Sequence, residues 1–162
     1  MADIRETVGQ DADTILRIAA DEPLFTAEES ETVGELLTDY LELPDHNGYS
    51  FLSAVLEGQV IGFACYGPTP LTEGTFDLYW ICVDQEFGRR GIGRALMERV
   101  EREVRRLGGR MIVLDTSGRE AYEPTRAFYR SVGFTATATV PDFYAMGDDL
   151  VIFSRRFKPA RP

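Results

Sequence analysis

Apolar residues recur along the chain with two spacings, and the switches between them lay out the elements. IRET (4–7) fits a short opening strand. In DADTILRIAA, Asp11 caps a helix whose Ile15, Leu16 and Ala19 share one face. TAEESETVGELLTDYLEL (26–43) opens with the capping-box spacing Thr26-x-x-Glu29 and carries the stripe Leu36, Leu37, Tyr40 and Leu41. Two apolar runs then flank Glu57-Gly58 in YSFLSAVLEGQVIGFACYGP (49–68), a hairpin signal. Pro68, Pro70 and Gly74 lead into TFDLYWICVD (75–84), rich in strand formers.

The helical spacing returns from about Gly91 to Leu107, burying Ile92, Leu96, Val100, Val104 and Leu107 and stopping at Gly108-Gly109. RMIVLDTS (110–117) reads as a buried strand. Pro124 suits the first turn of a helix over 125–132, ended by Gly133. FTATATV (134–140) alternates, a turn falls at Gly147-Asp148-Asp149, and LVIFSRRF (150–157) closes the chain's last strand. The order βααβββαβαββ predicts one mixed α/β domain over residues 1–162. It has an antiparallel start and a parallel crossover around the third helix.

Composition narrows this picture. With 162 residues, 44% hydrophobic and 27% charged, the chain reads as a single globular domain. No apolar run nears the roughly 20 residues of a membrane span, and MADIRETVGQ has no signal-peptide core, so a cytoplasmic, membrane-free protein is expected. Cys65 and Cys82 lie in apolar runs and read as buried thiols. His46 is the only histidine, which disfavours a His-based metal site or Ser-His triad, and no metal is expected. Residues 1–60 hold fourteen acidic and two basic side chains, against thirteen and fifteen in the remainder. A total of −10 disfavours non-specific nucleic-acid binding. The arginines Arg94, Arg99, Arg102, Arg105 and Arg106 are interleaved with Glu98, Glu101 and Glu103, as on a salt-bridged exposed helix.

Candidate chemistry centres on GRRGIGRALM (88–97), directly after the apolar strand. Gly91 and Gly93 let a ligand approach backbone N–H groups, and a helix starting there suits an anion, above all a phosphate. A Gly-rich turn with solvated arginines is the plainer reading. A P-loop would need Gly-Lys-Ser/Thr, which is absent. A dinucleotide fingerprint would need a third glycine where Leu96 stands.

VDQEFGRRGIGRALM, taken with the element order, resembles the GCN5-related N-acetyltransferase (GNAT) superfamily, whose pyrophosphate loop is Gln/Arg-x-x-Gly-x-Gly/Ala. Gly91 and Gly93 take the two small positions, and Gly88 stands where the superfamily has Gln or Arg. AYEPTRAFYRSVGF (121–134) is similar to its second cofactor motif, ending in Tyr-x-x-x-Gly-Phe at Tyr129 to Phe134, with Tyr122 in place of a usual Asn. The resemblance spans nearly the whole chain. It implies the GNAT fold, a mixed, mostly antiparallel sheet of about seven strands flanked by four helices. It also implies acetyl transfer from acetyl-CoA to an amine.

By that resemblance, the backbone of Ile81, Cys82 and Val83 meets the pantetheine arm. The loop Gly88, Arg89, Arg90, Gly91, Ile92, Gly93, Arg94 and Ala95 meets the pyrophosphate, and Thr125 and Tyr129 complete the cofactor site. Arg89 and Arg90 suit bidentate phosphate pairing, or stand as solvated surface arginines. Tyr129 matches the tyrosine that protonates the leaving thiolate; packing beneath the helix is its other reading. Alternation puts Asp77, Tyr79 and Ile81 on one face of their strand and Leu78, Trp80 and Cys82 on the other. Asp77 is the strand's only charge and falls where histone-acetylating relatives carry a glutamate base. It reads equally as that base or as a strand-end aspartate meeting Arg or solvent.

Asp142 and Tyr144 lie where the loop between the last strands borders the acceptor in relatives, with Tyr79 as a third acceptor contact. Asp142 after Pro141 also suits a turn. Glu28, Glu29, Glu31 and Glu35 would attract a cationic amine, or simply solubilise the surface. The expected activity is acetyl transfer to a primary amine of a small molecule or peptide by direct attack on the thioester. A non-catalytic CoA-binding sensor on the same fold is the alternative, and a homodimer is expected by the resemblance.

Overall fold

The structure is a computed structural model and describes residues 1–43 and 48–158; His46 lies outside them. Seven strands and four helices follow the expected order: β1 (Asp3–Glu6), α1 (Ala12–Asp21), α2 (Ala27–Glu42), β2 (Ser50–Leu56), β3 (Gln59–Pro68), β4 (Thr75–Val83), α3 (Ile92–Arg106), β5 (Met111–Ser117), α4 (Glu123–Ser131), β6 (Thr135–Ala145) and β7 (Asp148–Arg156). They form one sheet in the order β1-β2-β3-β4-β5-β7-β6, in which only β4 and β5 run parallel.

Two apolar cores sandwich the sheet. Leu96, Val100 and Val104 of α3 and Tyr129 of α4 pack on one face with Leu78, Ile112 and Phe153. Ile15 and Ile18 of α1 and Val33 and Leu37 of α2 pack on the other with Phe51, Phe63 and Cys82. The β2–β3 hairpin turns at Glu57 and Gly58, both at positive φ, the conformation that favours glycine in two-residue hairpin loops. The capping box of α2 is present: Glu29 N donates to Thr26 Oγ1 at 3.1 Å and Thr26 N to Glu29 Oε2 at 3.0 Å.

Several local expectations are corrected. Asp11 precedes α1, but its carboxylate bonds backward, accepting from Val8 N at 3.0 Å, from Arg5 at 2.7 and 2.9 Å, and from the Ser53 hydroxyl at 3.0 Å. Leu16 turns to solvent, Ile18 taking its place in the core. Leu107 is likewise half exposed, whereas Met97 is buried. The last hairpin is longer than predicted. β6 continues through Ala145 and turns at Met146-Gly147, so Asp142 and Tyr144 lie on a strand instead of a loop.

The departure that matters most for the site is in β4. Cys65 pairs with Trp80 but Tyr66 pairs with Leu78, leaving Tyr79 as the extra residue of a bulge. Phe76 and Leu78 face the α3–α4 core, Tyr79 and Trp80 both face the α1–α2 core, and Ile81 and Val83 return to the first. Ile81 therefore does not share a face with Asp77 and Tyr79. The bulge bends β4, which pairs with β5 only at Thr75, Phe76 and Asp77, although β5 itself runs on to Ser117. A cleft opens between them.

Candidate active site

On the α3–α4 side the cleft is a groove of about 470 Å³ lined by Ile81, Val83, Gly88, Arg89, Gly91, Gly93, Arg94, Thr125 and Tyr129, among others. Its floor is a helix N-terminus. Gly91 stands before α3 at φ 77, no side chain caps the helix, and the first backbone bond runs from Ala95 N to Gly91 O at 3.0 Å. The N–H groups of the first turn are thus open to an anion. Gly93 has a different reason: a Cβ there would meet the Phe128 ring at 3.3 Å, so its absence lets α3 and α4 close on one another.

The predicted cofactor residues separate into two groups. Ile81, Val83, Gly88, Arg89, Gly91, Ile92, Gly93, Arg94, Thr125 and Tyr129 all line this groove. Arg90 instead lies over the Phe87 ring at 5.3 Å. Ala95 is one turn into α3, and Cys82 faces α1, its thiol donating to Glu22 Oε2 at 3.7 Å. These three side chains are not among the groove's walls.

On the α1–α2 side the cleft widens into a cavity of about 650 Å³. Its walls include the carboxylates Glu22, Glu28, Glu29, Asp115 and Asp148, the rings of Phe25, Tyr79, Trp80, Tyr122 and Tyr144, and one cation, Arg119. Arg119 is paired with Asp148 at 3.3 Å. Glu31 and Glu35 are not among these walls, so only part of the acidic segment faces the cavity. Desolvation, with nearby carboxylate charge, pushes the Tyr79 hydroxyl and that of the half-exposed Tyr144 up to about 12, keeping both as proton donors. Tyr122, in the position of the usual Asn, donates to Leu24 O at 2.8 Å and ties α4 to the α1–α2 connection.

The two compartments share Ile81, Thr125 and Tyr129. Tyr129 is only 8% exposed and its ring packs between Phe128, Phe134 and Phe153. Its hydroxyl has no hydrogen-bond partner among the described residues, and burial raises its proton affinity further. A phenol kept protonated and unsatisfied at the meeting point of two compartments is an orphan donor awaiting a ligand atom.

The predicted base and acceptor residues are placed unevenly. Asp77 is not a wall of either compartment; its Oδ2 accepts from the Thr69 hydroxyl at 2.9 Å. Asp142 is taken up by its own hairpin at φ 54, its carboxylate accepting from Gly147 N at 2.7 Å and its N–H donating to Asp149 at 2.9 Å. Tyr79 and Tyr144 do line the cavity. Asp115, which the sequence reading passed over, lines it too. Partial desolvation by the surrounding walls, then the charge of Asp77, raise its carboxyl from the ordinary carboxylate value, although the residue itself reaches solvent. Its sequence signal was available: it is the single charge in the apolar run MIVLDTS.

The sheet is splayed, with a helix start open to an anion on one side and a carboxylate-lined cavity on the other. The model of the Acetyltransferase (GNAT) family matches residues 13–134, and the chain belongs to that family, as an N-acetyltransferase. A GNAT-family protein from Desulfovibrio desulfuricans is 41% identical with a TM-score of 0.93, over 96% of this chain and 99% of its own. Two further structures share the fold. PaiA N-acetyltransferase from Thermoplasma acidophilum, in complex with coenzyme A, has 16% identity and a TM-score of 0.74 over 97% and 99% of the two chains. A Bacillus anthracis protein in complex with acetyl coenzyme A has 16% identity and a TM-score of 0.76 over 98% and 99%. No curated protein matches the chain.

Proposed function

We propose that this protein uses acetyl-CoA to acetylate a primary amine of a cationic small molecule or peptide, by direct attack of the amine on the thioester. The observation that carries the reading is the buried, unpartnered Tyr129 hydroxyl where groove and cavity meet. The residues fit the cofactor. The open N–H groups before and within the first turn of α3, with Arg89 and Arg94, suit its pyrophosphate. Beyond Asp77, the edge of β4 facing β5 has no strand partner and is free to bond the amides of the pantetheine arm.

When bound, acetyl-CoA supplies an activated carbonyl carbon and a thiolate leaving group. Tyr129 donates its proton to the departing sulfur. Aliphatic amines are mostly protonated at neutral pH, so one proton must first pass to solvent, and a carboxylate near the cavity takes another as the nitrogen is acylated. Asp77 and Asp115 are the candidates. Five carboxylates against one paired arginine favour a cationic acceptor, and the aromatic walls favour an ammonium flanked by methylenes. Cys82 is no acyl carrier: burial pushes its thiol far up, beyond the range of a thiolate nucleophile.

The quaternary state proposed with this reading is a homodimer. β6, exposed along all eleven residues and uncharged from Thr135 to Val140, is the edge on which a second copy would pair. Sedimentation of the full chain tests it.

Calorimetric titration with acetyl-CoA and CoA, followed by thiol release across monoamines, diamines, amino sugars and peptide amines, tests the activity. Micromolar cofactor binding and release for one amine class are expected. Absence of binding at millimolar cofactor overturns the assignment of the groove. Binding without release for any amine would favour the sensor alternative.

A further inference from the structure

Two carboxylates stand in line where β4 leaves β5. Asp77 pairs with Val113, the last rung of the parallel ladder, and Asp115 follows two residues later on β5. Both side chains therefore project from one face, opposite Leu78, Ile112 and Leu114, which face the α3–α4 core. Their surroundings differ. Asp77 is held from behind by the Thr69 hydroxyl at 2.9 Å and lies outside the cavity walls. Asp115 is one of those walls and has no hydrogen-bond or ion-pair partner among the described residues.

We infer that Asp115 takes the proton from the attacking amine and that Asp77 is a positioning residue, acting through Asp115 as a fixed negative charge behind it. This rests on the acetyl-transfer reading above. The acceptor attacks as its neutral amine, the ammonium proton having first passed to solvent; as the nitrogen bonds to the acetyl carbon it sheds one further proton to an Asp115 Oδ. The C–S bond breaks with its electron pair left on sulfur, which Tyr129 protonates. One proton is accepted and one donated, and no oxidant or reductant is required.

The other groups facing Asp115 do not compete for that proton. Tyr144 from β6, Tyr79 from β4 and Tyr129 from α4 keep their protons, Tyr129 by full burial and the other two by partial desolvation and neighbouring charge. Asp148 from β7 accepts from the Ser117 hydroxyl and is paired with Arg119. Glu29 of α2 is committed to its capping box. Glu28 of α2 is also an unpartnered wall of the cavity, but Asp115 alone among the unpartnered carboxylates stands where β4 leaves β5, and its carboxyl is raised from the ordinary value.

The test compares D115N and D77N with acetyl-CoA and 1,5-diaminopentane, reading kcat, acetyl-CoA affinity and the pH profile of kcat/KM. D115N is expected to lower kcat by about 10²- to 10⁴-fold, with acetyl-CoA affinity unchanged as the control for folding. D77N is expected to keep kcat within about tenfold while its acidic limb moves to lower pH, because a negative charge beside the base is removed. A D115N enzyme near the parent rate, or a D77N enzyme as damaged as D115N, overturns the assignment.

Carboxyl ¹³C titration by NMR reads the same coupling without turnover. Asp115 should titrate above the usual carboxylate range and fall back in D77N; an ordinary titration in the parent protein overturns the inference. Failure of every amine to release thiol would remove the acetyl-transfer reading and the base role with it, while the titration still decides the coupling.

Discussion

Asp77 stands opposite Val113, and beyond that rung β4 and β5 share no further pair. The parallel crossover that joins them is short of what both strands could form, since β4 runs six residues past Asp77 and β5 four past Val113. The single extra residue Tyr79 accounts for the parting, because a bulge increases local twist and carries the strand away from its neighbour. The sheet gives up backbone pairing here and gains a cleft with polar backbone on its walls.

Tyr129→Phe removes the orphan hydroxyl and little else. The variant should fold with stability equal to or slightly above the parent, because a buried unsatisfied donor is lost. The turnover number should fall by about 10²-fold or more, with acetyl-CoA affinity close to the parent's. Thermal unfolding beside thiol-release kinetics checks both halves; an unchanged rate would assign Tyr129 to packing.

Gly93→Ala tests the close approach of α3 and α4. The new Cβ would meet the Phe128 ring at 3.3 Å, so the ring or its helix must give by a few tenths of an ångström, at a cost of about 1 kcal/mol. Denaturant unfolding should record that loss, and calorimetry should record weaker CoA binding. Wild-type values in both would show that Phe128 yields without disturbing the groove.

Asp11 gives a pH-dependent prediction. Burial alone would raise its carboxyl, but bonds from Arg5, Val8 and Ser53 outweigh it and hold the group below the usual carboxylate range. A depressed folded-state value contributes stability that is full above the unfolded value and is lost as pH falls through the folded one. Asp11→Asn should therefore destabilise by about 1–3 kcal/mol at pH 7. The difference from the parent should shrink below about pH 4. Paired denaturant curves at pH 7 and pH 3 measure it.

Glu28 lines the cavity proposed for the acceptor, from the first turn of α2, without a side-chain partner among the described residues. Glu28→Gln should lower kcat/KM for a diamine by roughly two- to fivefold, equivalent to about 0.5–1 kcal/mol. A monoamine of equal length should be unaffected, and added salt should shrink the effect. Equal losses for both amines would remove Glu28 from acceptor recognition.

Element order, hairpin, capping box and glycine loop were legible because each is a local pattern: spacing, a turn pair, a cap, a helix start. The bulge was not, because Tyr79 leaves no mark in an apolar run and is expressed only through its pairing with β3. A one-residue slip reverses every later side chain, which is how Ile81 was assigned the wrong face. Asp77 and Asp115 carry the same sequence signal, a lone charge in a strand, and only the point at which the two strands part distinguishes them. The reach of β6 was obscured by Pro141 and Asp142, which read as loop but are absorbed by an irregularity between Val140 and Ala145.

The groove and the cavity open on opposite faces of one sheet and meet only around Ile81, Thr125 and Tyr129. The gap between β4 and β5 is thus a window with two sills. Under the proposed function, a nucleotide thioester would enter over α3 and an amine beneath α2 without passing each other, and the spent thiol would withdraw while the acylated product leaves on the far side. Traffic through such a window imposes no queue, and steady-state plots varying both substrates should intersect instead of running parallel.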